Sequence, residues 1–410
     1  MCIEFVEWEK RLVALKYVVI VGDGMADYPL DELGGKTPLQ IARKPNMDMV
    51  ACRGKCGLLK AIPEGLPAGS DVAILSILGY DPEKYYTGRG PIEAAALGVE
   101  LRDGDVAFRC NLVTLEGGVM ADYSAGHISS GEARELINAL NEEIGSGSVR
   151  FYSGVSYRNI LVISGERFEG LECTPPHDIT GMRVEEYLPR GEGSELLLEL
   201  MRAAQRVLEE HPVNVRRVRE GKRPANSIWP WGYGVKPRLQ RFEERFGVRG
   251  AIISAVDLVR GLGVLTGLRV VNVPGATGYY DTNYAGKGEY ALKALEDVDF
   301  VLVHVEAPDE AGHAGDIENK VKAIERIDSE ILGRVLREID TISSDYRVAV
   351  LADHPTPIVK RTHTRDPSPV AVLSSNEDGD EVEGFDEFSV RRGSLGLIRG
   401  HDFMSRFIGR

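Results

Sequence analysis

The stretch YVVIVGDG, residues 17–24, is a run of β-branched residues that stops at a glycine-flanked aspartate. Two later stretches have the same form: DFVLVHV at 299–305, and RVAVLA at 347–352, which runs into Asp353 and His354. Short apolar runs that stop at a polar turn are typical of strands buried on both faces, which belong to parallel or mixed sheets covered by helices. The three stretches therefore predict an α/β fold.

Helical patterns lie between these strands and favour a mostly parallel sheet sandwiched by helices. Four segments repeat apolar residues at intervals of three and four, as an amphipathic helix does. These segments are 131–144, 194–211, 287–297 and 319–339. The alternation predicts the α/β class and leaves the order of the strands open.

The character of the sequence changes between residues 108 and 224, which are rich in turn-forming residues and isolated arginines. A chain of 410 residues is long enough for two domains of about a hundred residues or more each. We therefore predict a discontinuous catalytic domain, 1–107 with 225–410, and a smaller inserted α/β domain, 108–224.

The charge of the chain excludes one broad class of function. Its 63 acidic and 49 basic residues give a formal charge of −14, and only Arg216–Arg223 concentrates positive charge. A general nucleic-acid binder depends on clustered cations, so no nucleic-acid partner is expected. An anionic substrate remains compatible with this charge, because a bound metal reverses the field locally.

The five cysteines, Cys2, Cys52, Cys56, Cys110 and Cys173, are odd in number and scattered, which indicates free thiols in a reducing compartment. No second pair accompanies Cys52 and Cys56, so ordinary thiols are favoured over a zinc site. The amino-terminal stretch is acidic, unlike a signal peptide, and no window approaches the ~20 apolar residues of a membrane span. We expect a soluble, cytoplasmic protein without a membrane partner; monomer and homo-oligomer both stay open.

Metal-capable side chains follow all three predicted strands. Asp23 ends the first strand, Asp309 and His313 come just after the second, and Asp353 with His354 ends the third. The carboxyl ends of strands in an open α/β sheet meet at one crevice, so we expect these side chains to converge. Imidazole and carboxylate together suit Zn, Mn or Co, and Mg where carboxylates dominate. Taken singly, each residue has an ordinary explanation as a turn, a cap or a strand end.

Two further residues complete the candidate site. His363, in KRTHTRDPSPVAVL, precedes another apolar strand and is a fourth ligand candidate. Ser70, in PAGSDVAILSILGY, follows a glycine and opens an apolar helical run, which is commonly the place of a helix N-cap and also of an anion site. A hydroxyl needs a base or a metal to become a good nucleophile, so the nearby ligand candidates favour Ser70 in that role.

Long, specific motifs are spread over most of the chain. Besides the turn at Asp23, they are TPLQIARKPNMD (37–48), PAGSDVAILSILGYDP (67–82), YTGRGPIEAAALGV (86–99), AFRCNLVTLEGG (107–118), AGHISSGEA (125–133), PGATGYYDTNYAGK (274–287), PDEAGHAGD (308–316), ADHPTP (352–357) and LGLIRGHD (395–402). Together they resemble the archaeal type of cofactor-independent (2,3-bisphosphoglycerate-independent) phosphoglycerate mutase, in the alkaline phosphatase superfamily. The resemblance implies an isomerase of glycolysis and gluconeogenesis that interconverts 3-phosphoglycerate and 2-phosphoglycerate without a bisphosphoglycerate or nucleotide cofactor.

By this resemblance, the candidate residues divide into two sites for divalent cations, which would be Mn, Co, Zn or Mg. The residues of one site would be Asp309, His313 and His363. Those of the other would be Asp23, Ser70, Asp353 and His354. Ser70 would carry the phosphoryl group during each turnover.

The resemblance also implies residues that bind the substrate, a small phosphorylated carboxylic acid. Lys287 matches a lysine that contacts the phosphate, His127 and Arg158 match positions that face the substrate, and Arg89 and Arg217 are further matches. Without the resemblance, these are ordinary loop or surface residues. A mutase has to keep water from its phosphoserine, so the inserted domain is expected to close over the intermediate.

The sequence departs from the family pattern in three places. An amino-terminal stretch precedes the first strand, and Pro355 follows His354 where relatives often have a small polar residue. The paired-arginine motif of the longer bacterial type is not evident. This last departure leaves open which arginines bind the carboxylate and the phosphate.

Other classes of function stay as alternatives. One is a phosphomonoesterase, or another mutase of the superfamily, that acts on a different small phosphorylated metabolite, because metal ligands specify phosphoryl chemistry rather than the organic group. A non-catalytic metal-binding protein is disfavoured because Ser70 and Lys287 accompany the full set of ligands. A dinucleotide-binding protein is disfavoured because Gly22-Asp23-Gly24 lacks the third glycine of that motif.

Overall fold

The structure is a computed structural model that describes residues 15–409; the amino-terminal stretch and Cys2 lie outside the described residues. The chain divides into two compact units, one made of Met1–Tyr86 with Leu239–Arg410 and the other of Thr87–Arg238. The second unit contains the predicted insert 108–224 and extends beyond it at both ends. The extra residues include a helix and a complete strand, and both pack with this unit's own sheet.

The described residues contain thirteen strands. They are β1 Lys16–Gly22, β2 Lys55–Lys60, β3 Asp105–Glu116, β4 Val119–Asp122, β5 Val149–Val155, β6 Arg158–Ser164, β7 Ser227–Val235, β8 Gly250–Ile253, β9 Arg269–Val271, β10 Phe300–Val305, β11 Tyr346–Leu351, β12 Ser368–Ser374 and β13 Gly396–Arg399.

Fifteen α-helices accompany these strands in the described part of the chain. They are α1 Pro38–Ile41, α2 Pro45–Arg53, α3 Ser70–Ile77, α4 Pro82–Tyr85, α5 Arg89–Ala96, α6 Ser130–Glu143, α7 Ser194–Glu209, α8 Pro212–Arg219, α9 Phe242–Phe246, α10 Asp257–Thr266, α11 Tyr284–Leu295, α12 Ala307–Ala314, α13 Ile317–Arg326, α14 Gly333–Glu338 and α15 Gly400–Ile408. Short 3₁₀ helices occur at Asp31–Leu33, Pro176–Ile179, Val184–Tyr187, Ile339–Thr341 and Ser389–Arg392, and a π-helical segment at Ile327–Leu332.

The first unit is built on an eight-stranded, mainly parallel sheet in the order β13-β2-β12-β11-β1-β10-β8-β9. Among these strands, only β12 runs antiparallel to its neighbours, β2 and β11. The central strands are buried because β-branched side chains fill both faces; for example, Val18 and Ile20 of β1 share a core with residues of α2, α11 and α13. The predicted α/β class with a mainly parallel sheet is confirmed.

The second unit has an antiparallel sheet in the order β4-β3-β6-β5, and β7 also pairs with β3. Phe108, Leu161 and Trp229 of this sheet share a core with Leu136 of α6 and Leu200 of α7. A capping box starts α6, because the side chains of Ser129 and Glu132 each accept from the other's backbone amide.

Helix α5 explains why the second unit begins earlier than predicted. Its residue Ala94 packs with Ala107, Ile160 and Val162, so α5 covers a face of the second unit's sheet. Gly90 permits this approach, since a Cβ there would lie 2.2 Å from the carbonyl oxygen of Ala107. The contact is invisible in the local sequence pattern.

One predicted helix is interrupted. The periodic segment 319–339 forms α13 and α14 with the π-helical segment Ile327–Leu332 between them. Within that segment Asp328 turns inward, where its carboxylate accepts from the amide of Met47 at 2.7 Å and from the Asn46 side chain at 2.8 Å. π-helical turns appear mostly as short interruptions of this kind.

Two smaller findings concern the sequence-based expectations. The four cysteines of the described residues are free thiols, as predicted. Over the described range, the helices are all too short or too polar to cross a bilayer.

Candidate active site

The candidate site lies at the carboxyl ends of three adjacent strands. Strand β1 pairs in parallel with β10 on one side and with β11 on the other, so the residues that follow these three strands emerge together. Asp23 directly follows β1, Asp353 follows β11, and Asp309 lies in α12 just beyond β10. The predicted convergence of these strand ends is therefore present in the first unit.

The first group of side chains is Asp309, His313 and His363. Asp309 and His313 lie one turn apart on the same face of α12, while His363 comes from the loop before β12. The Nε2 atom of His313 is 3.2 Å from Asp309 Oδ2, and that of His363 is 3.4 Å from Asp309 Oδ1. All three side chains therefore face a common point, with ligand atoms within 4.8 Å of one another.

The backbone sets the orientation of both imidazoles in this group. Nδ1 of His313 lies 3.0 Å from the carbonyl oxygen of Arg361, and Nδ1 of His363 lies 3.0 Å from that of Ala68. A carbonyl oxygen only accepts, so each Nδ1 carries its proton, and in the neutral rings each Nε2 presents a lone pair. The two Nε2 atoms are 2.9 Å apart. Two lone pairs at that distance repel unless a proton or a cation lies between them, so this group fits a divalent cation.

Without a cation, protons satisfy the same group. Burial opposes charge on His313, but the hydrogen bond to Asp309 outweighs it and raises the pKa of His313 to about 9. Burial would likewise raise the pKa of Asp309, but hydrogen bonds from the two histidines lower it well below the usual value. A cation therefore competes with protons for these ligands.

The second group is Asp23, Ser70, Asp353 and His354. Nε2 of His354 lies 3.3 Å from Ser70 Oγ, 3.4 Å from Asp23 Oδ1 and 3.4 Å from Asp353 Oδ2. Within residues 15–409, Asp23 Oδ1 and Asp353 Oδ2 are buried oxygens that accept no hydrogen bond. Buried carboxylate oxygens are rarely left without a partner, so the donor set of this group also fits a cation.

Burial and mutual repulsion perturb the second group strongly. Burial first, and then repulsion from Asp353 and Asp309, raise the pKa of Asp23 well above its usual value. Burial also raises the pKa of Asp353 to about 6. The pKa of His354 falls to about 3, chiefly through burial and then through the neighbouring His363. A bound cation would offset the raised pKa of both aspartates, and the lowered pKa of His354 already keeps that imidazole in the neutral form that binds a cation.

Ser70 is the first residue of α3 rather than its N-cap, which is Gly69. The prediction of an N-cap serine is therefore wrong by one position. The side chain is consequently free to turn away from the helix backbone, and Oγ donates to Asp23 Oδ2 at 2.9 Å. The hydroxyl sits between Asp23 and His354, next to a helix start where backbone N–H groups favour an anion.

Three residues near the site were not among the sequence-based candidates. His304 Nε2 lies 2.8 Å from Asp23 Oδ2, and Glu306 Oε2 is 3.7 Å from the same imidazole nitrogen. Thr356 donates a short hydrogen bond to Asp309 Oδ1. Asp23, His304 and Glu306 form a further group with close ligand atoms. The available signal was a histidine in the otherwise apolar strand β10, where a polar side chain needs a reason to be buried.

Lys287 lies in α11 and is fully buried. Its ammonium donates to the backbone carbonyl oxygen of His304 at 2.8 Å. Burial lowers the pKa of Lys287 to about 8, and the nearby Glu306 partly opposes this shift. The lysine is thus fixed to the strand that carries His304, and its predicted contact with a phosphate stays a prediction.

The second unit gathers three of the predicted substrate-binding residues along one row of aromatic rings. The rings of the row are Tyr157, Tyr123, His177 and Trp231, with neighbouring centroids 5.3 to 6.1 Å apart. His127 lies 6.2 Å from Tyr157, the Arg158 guanidinium 5.4 Å from the same ring, and the Arg89 guanidinium 5.8 Å from Trp231. Stacked cations and a histidine make this row suited to an organic anion.

Arg109 joins this row and was missed by the sequence analysis. Its guanidinium lies 4.4 Å from the Trp231 ring and its Nε 3.1 Å from Glu93 Oε2. Burial lowers the pKa of Arg109 to about 10; Glu93 opposes the shift, and Arg89 and Arg158 add to it. Its signal was weak, because AFRCNLV reads as a plain buried strand.

Arg217 occupies a different position, inside the second unit. Its guanidinium donates to Glu132 at 2.8 Å, to the carbonyl oxygen of Ala125 at 2.7 Å and to that of Arg223 at 2.9 Å. Ala125 and His127 both have positive φ, at 50° and 49°, in a loop that the Arg217 bond to Ala125 holds in place. These contacts give Arg217 a structural role beneath the His127 loop.

The comparisons with known proteins agree on one family. The family model for 2,3-bisphosphoglycerate-independent phosphoglycerate mutase matches residues 51–214. The mutase of that name from Methanosarcina acetivorans is 55% identical over 395 residues, which cover 96% of this chain and 100% of the relative. Among solved structures, the PH0037 protein from Pyrococcus horikoshii is 33% identical with a TM-score of 0.81, and the alignment covers 97% of this chain and 98% of that one.

A second solved structure is the cofactor-independent phosphoglycerate mutase from Thermoplasma acidophilum. It is 30% identical to this chain with a TM-score of 0.66, and the alignment covers 96% of this chain and 99% of that one. The class that these similarities define is an α/β isomerase of the mutase type. The chain belongs to the 2,3-bisphosphoglycerate-independent phosphoglycerate mutase family. The predicted resemblance and enzyme class are thereby confirmed.

Proposed function

We propose that this enzyme interconverts 3-phosphoglycerate and 2-phosphoglycerate through a phosphoserine at Ser70, with two divalent cations bound beside it. The observation that carries the proposal is the position of the Ser70 hydroxyl, 2.9 Å from Asp23 Oδ2 and 3.3 Å from His354 Nε2. A serine becomes nucleophilic when such groups surround it, and the family membership supplies the substrate.

Two sets of residues would hold the cations. The first set is Asp309, His313 and His363, and the second is Asp23, Ser70, Asp353 and His354. Mixed nitrogen and oxygen donors suit Mn, Co or Zn, and the carboxylates also admit Mg. When bound, divalent cations neutralise phosphate charge and lower the pKa of a coordinated hydroxyl. No bisphosphoglycerate or nucleotide is needed for this chemistry.

The residues of the chain account for the transfer of the phosphoryl group to Ser70 and back to the glycerate. The Ser70 hydroxyl donates to Asp23, so an oxygen lone pair is left to attack phosphorus. The bond from phosphorus to the substrate oxygen breaks as the bond to Ser70 Oγ forms, and the proton that Ser70 loses equals the one that the glycerate oxygen gains. The other glycerate hydroxyl then takes the phosphoryl group back, which regenerates Ser70. Lys287, close to the site through His304, is assigned to the phosphate.

The second unit supplies groups suited to the organic part of the substrate. Arg89, Arg109 and Arg158 accompany His127 along the aromatic row, and guanidinium groups bind carboxylates in a planar, two-point fashion. We assign these residues to binding the carboxylate and hydroxyl groups of the glycerate. Arg217 contributes indirectly, because it fixes the loop that carries His127.

We also assign the reaction to glycolysis and gluconeogenesis in the cytoplasm. The four free cysteines of the described residues support a reducing compartment. A small phosphorylated acid is the only partner that the assigned residues require.

The test is a comparison of Ser70→Ala with Ser76→Ala, the same substitution six residues further along α3. Metal-loaded wild type and Ser76→Ala should convert 3-phosphoglycerate to 2-phosphoglycerate and form an acid-stable phosphoenzyme. Ser70→Ala should lose both by at least about 10³-fold, the scale expected for removal of a nucleophile. Mutase activity retained by Ser70→Ala would exclude the proposed nucleophile. Release of phosphate and glycerate in place of 2-phosphoglycerate would instead identify a phosphomonoesterase of the same superfamily.

A further inference from the structure

His304 is a fully buried histidine within the apolar strand β10, and both of its ring nitrogens have polar neighbours. Nε2 lies 2.8 Å from Asp23 Oδ2, and Nδ1 lies 3.2 Å from Ser254 Oγ. Ser254 directly follows β8, which pairs in parallel with β10 so that Ile253 lies opposite Val303. The sheet register therefore brings Ser254, His304 and Asp23 into one line.

The donors and acceptors along this line fix where each proton lies. A cation at the second group would keep Asp23 ionised, and an ionised carboxylate only accepts, so His304 Nε2 carries the hydrogen of the 2.8 Å bond. In a neutral imidazole, a hydrogen on Nε2 leaves Nδ1 as the acceptor. The Ser254 hydroxyl must then donate to Nδ1, and its oxygen accepts from the amide of Val256 at 3.0 Å. Ser254 thereby selects the tautomer of His304.

The two carboxylate oxygens of Asp23 differ in the hydrogen bonds that they accept. Oδ2 accepts from both His304 and Ser70, at 2.8 and 2.9 Å. In the described part of the chain, Oδ1 accepts nothing and lies 3.4 Å from His354 Nε2. A carboxylate held by one oxygen in this way cannot rotate freely, so Oδ1 stays turned toward the second ligand group.

We propose that His304, oriented by Ser254, is a positioning residue that fixes the rotation of Asp23, so that Oδ1 faces the cation and Oδ2 presents the Ser70 hydroxyl. The proposal rests on the proposed function, because it gives His304 a purpose only if Ser70 is the nucleophile beside a cation. Outer hydrogen bonds of this kind orient ligands, and their loss typically costs about 10–100-fold in metal affinity or activity.

The backbone hydrogen bonds that hold strand β10 around His304 do not involve the His304 side chain. Its carbonyl oxygen accepts from Lys287, and β10 pairs on both sides, with Val21 of β1 opposite His304. Glu306 Oε2 lies 3.7 Å from Nε2, too far for a hydrogen bond, and Asp353, Lys287 and Asp309 are the other charged groups that act on the ring. Substitution of the imidazole should therefore change the hydrogen bonds on Asp23 more than the course of the strand.

The test compares His304→Gln with His304→Asn. A Gln amide nitrogen reaches about as far as imidazole Nε2 and keeps a donor for Asp23, whereas an Asn amide reaches only as far as Nδ1. His401→Asn, in the separate helix α15, is the control. The expected result is that His304→Asn raises the Mn²⁺ concentration for half-saturation by about tenfold or more and lowers kcat by about 10–100-fold with KM within about twofold. His304→Gln should recover most of both, to within about threefold of wild type.

Two measurements do not require mutase activity. Calorimetric titration of the substrate-free protein with Mn²⁺ reports the metal affinity directly. In ¹⁵N-histidine-labelled protein, the His304 signal, assigned by its loss in His304→Gln, should show the Nε2–H tautomer, and Ser254→Ala should add the Nδ1–H form.

The outcomes separate the two proposals. If wild type binds Mn²⁺ but converts no phosphoglycerate, the proposed function fails while the effect of His304 on metal affinity remains measurable. The positioning role is overturned if His304→Asn binds Mn²⁺ and turns over like His401→Asn, if His304→Gln is as impaired as His304→Asn, or if the wild-type ring carries its proton on Nδ1.

Discussion

Replacement of Gly24 by alanine should disturb the site although it adds only one methyl group. Its φ of +59° is costly for any residue with a Cβ, by about 1–2 kcal/mol. A Cβ built there would lie 2.6 Å from Asp309 Oδ1, 2.6 Å from Thr356 Oγ1 and 2.7 Å from Asp309 Cα. The last contact is with backbone, so α12 itself must shift, and overpacking of this kind costs about 1–3 kcal/mol more. We predict a total loss of about 2–5 kcal/mol for Gly24→Ala.

Gly34→Ala is the matched control for this prediction. Gly34 has a similar φ of +65°, but a Cβ there would meet nothing within 4 Å. It should therefore show only the backbone cost of about 1–2 kcal/mol. Denaturant unfolding of the metal-free proteins gives both differences, and titration with Mn²⁺ should show weaker binding, by about tenfold or more, for Gly24→Ala alone, because Asp309 is displaced. Equal stability and equal Mn²⁺ affinity in the two variants would refute the reasoning.

Two further predictions concern buried charges. Burial raises the pKa of Glu387 from its usual 4.5 to about 7, so the stability supplied by its bound proton is complete below about pH 4.5 and is lost as pH rises through about 7. Glu387→Gln should match wild type in unfolding free energy at about pH 4 and exceed it at about pH 8 by up to about 3 kcal/mol; a difference that does not depend on pH would contradict this. Arg217→Met leaves Glu132 and the carbonyl of Ala125 without their donor, so it should destabilise the second unit by about 3 kcal/mol and raise KM. The exposed Arg219→Met should stay within about 0.5 kcal/mol of wild type, and equal effects of the two substitutions would show that the buried contacts are unimportant.

The sequence pattern predicted the strands that carry the site, because a buried strand is visible in the sequence as a short run of consecutive apolar residues. YVVIV, FVLVHV and RVAVL form β1, β10 and β11 within a residue or two of the expected bounds. The order of these strands in the sheet was not predictable. Strand β1 pairs with β10, which lies nearly 300 residues further along the chain, and with β11, which lies more than 300 residues further along. Convergence of Asp23, Asp309 and Asp353 followed from a general property of parallel sheets and needed no knowledge of that order.

Other features depend on packing that no local pattern records. The break in the helix at 319–339 contains Asp328, whose carboxylate accepts from the amide of Met47, a residue far away in the chain. Arg217, a candidate for substrate binding, is engaged by Glu132 and two backbone carbonyls inside the second unit. An arginine in an amphipathic helix has the same local signature whether it faces a substrate or a buried carboxylate.

The sequence by itself determined the class of fold, the strand ends that carry Asp and His, and the family of the chain, because periodicity and long motifs are properties of neighbouring residues. Only the tertiary structure decided which atoms face one another. It placed the two Nε2 atoms of His313 and His363 at 2.9 Å, turned Ser70 toward Asp23, and set His304 behind that aspartate. Such distances come from sheet register and from backbone carbonyls that orient each ring, and both arise only when distant segments pair and pack.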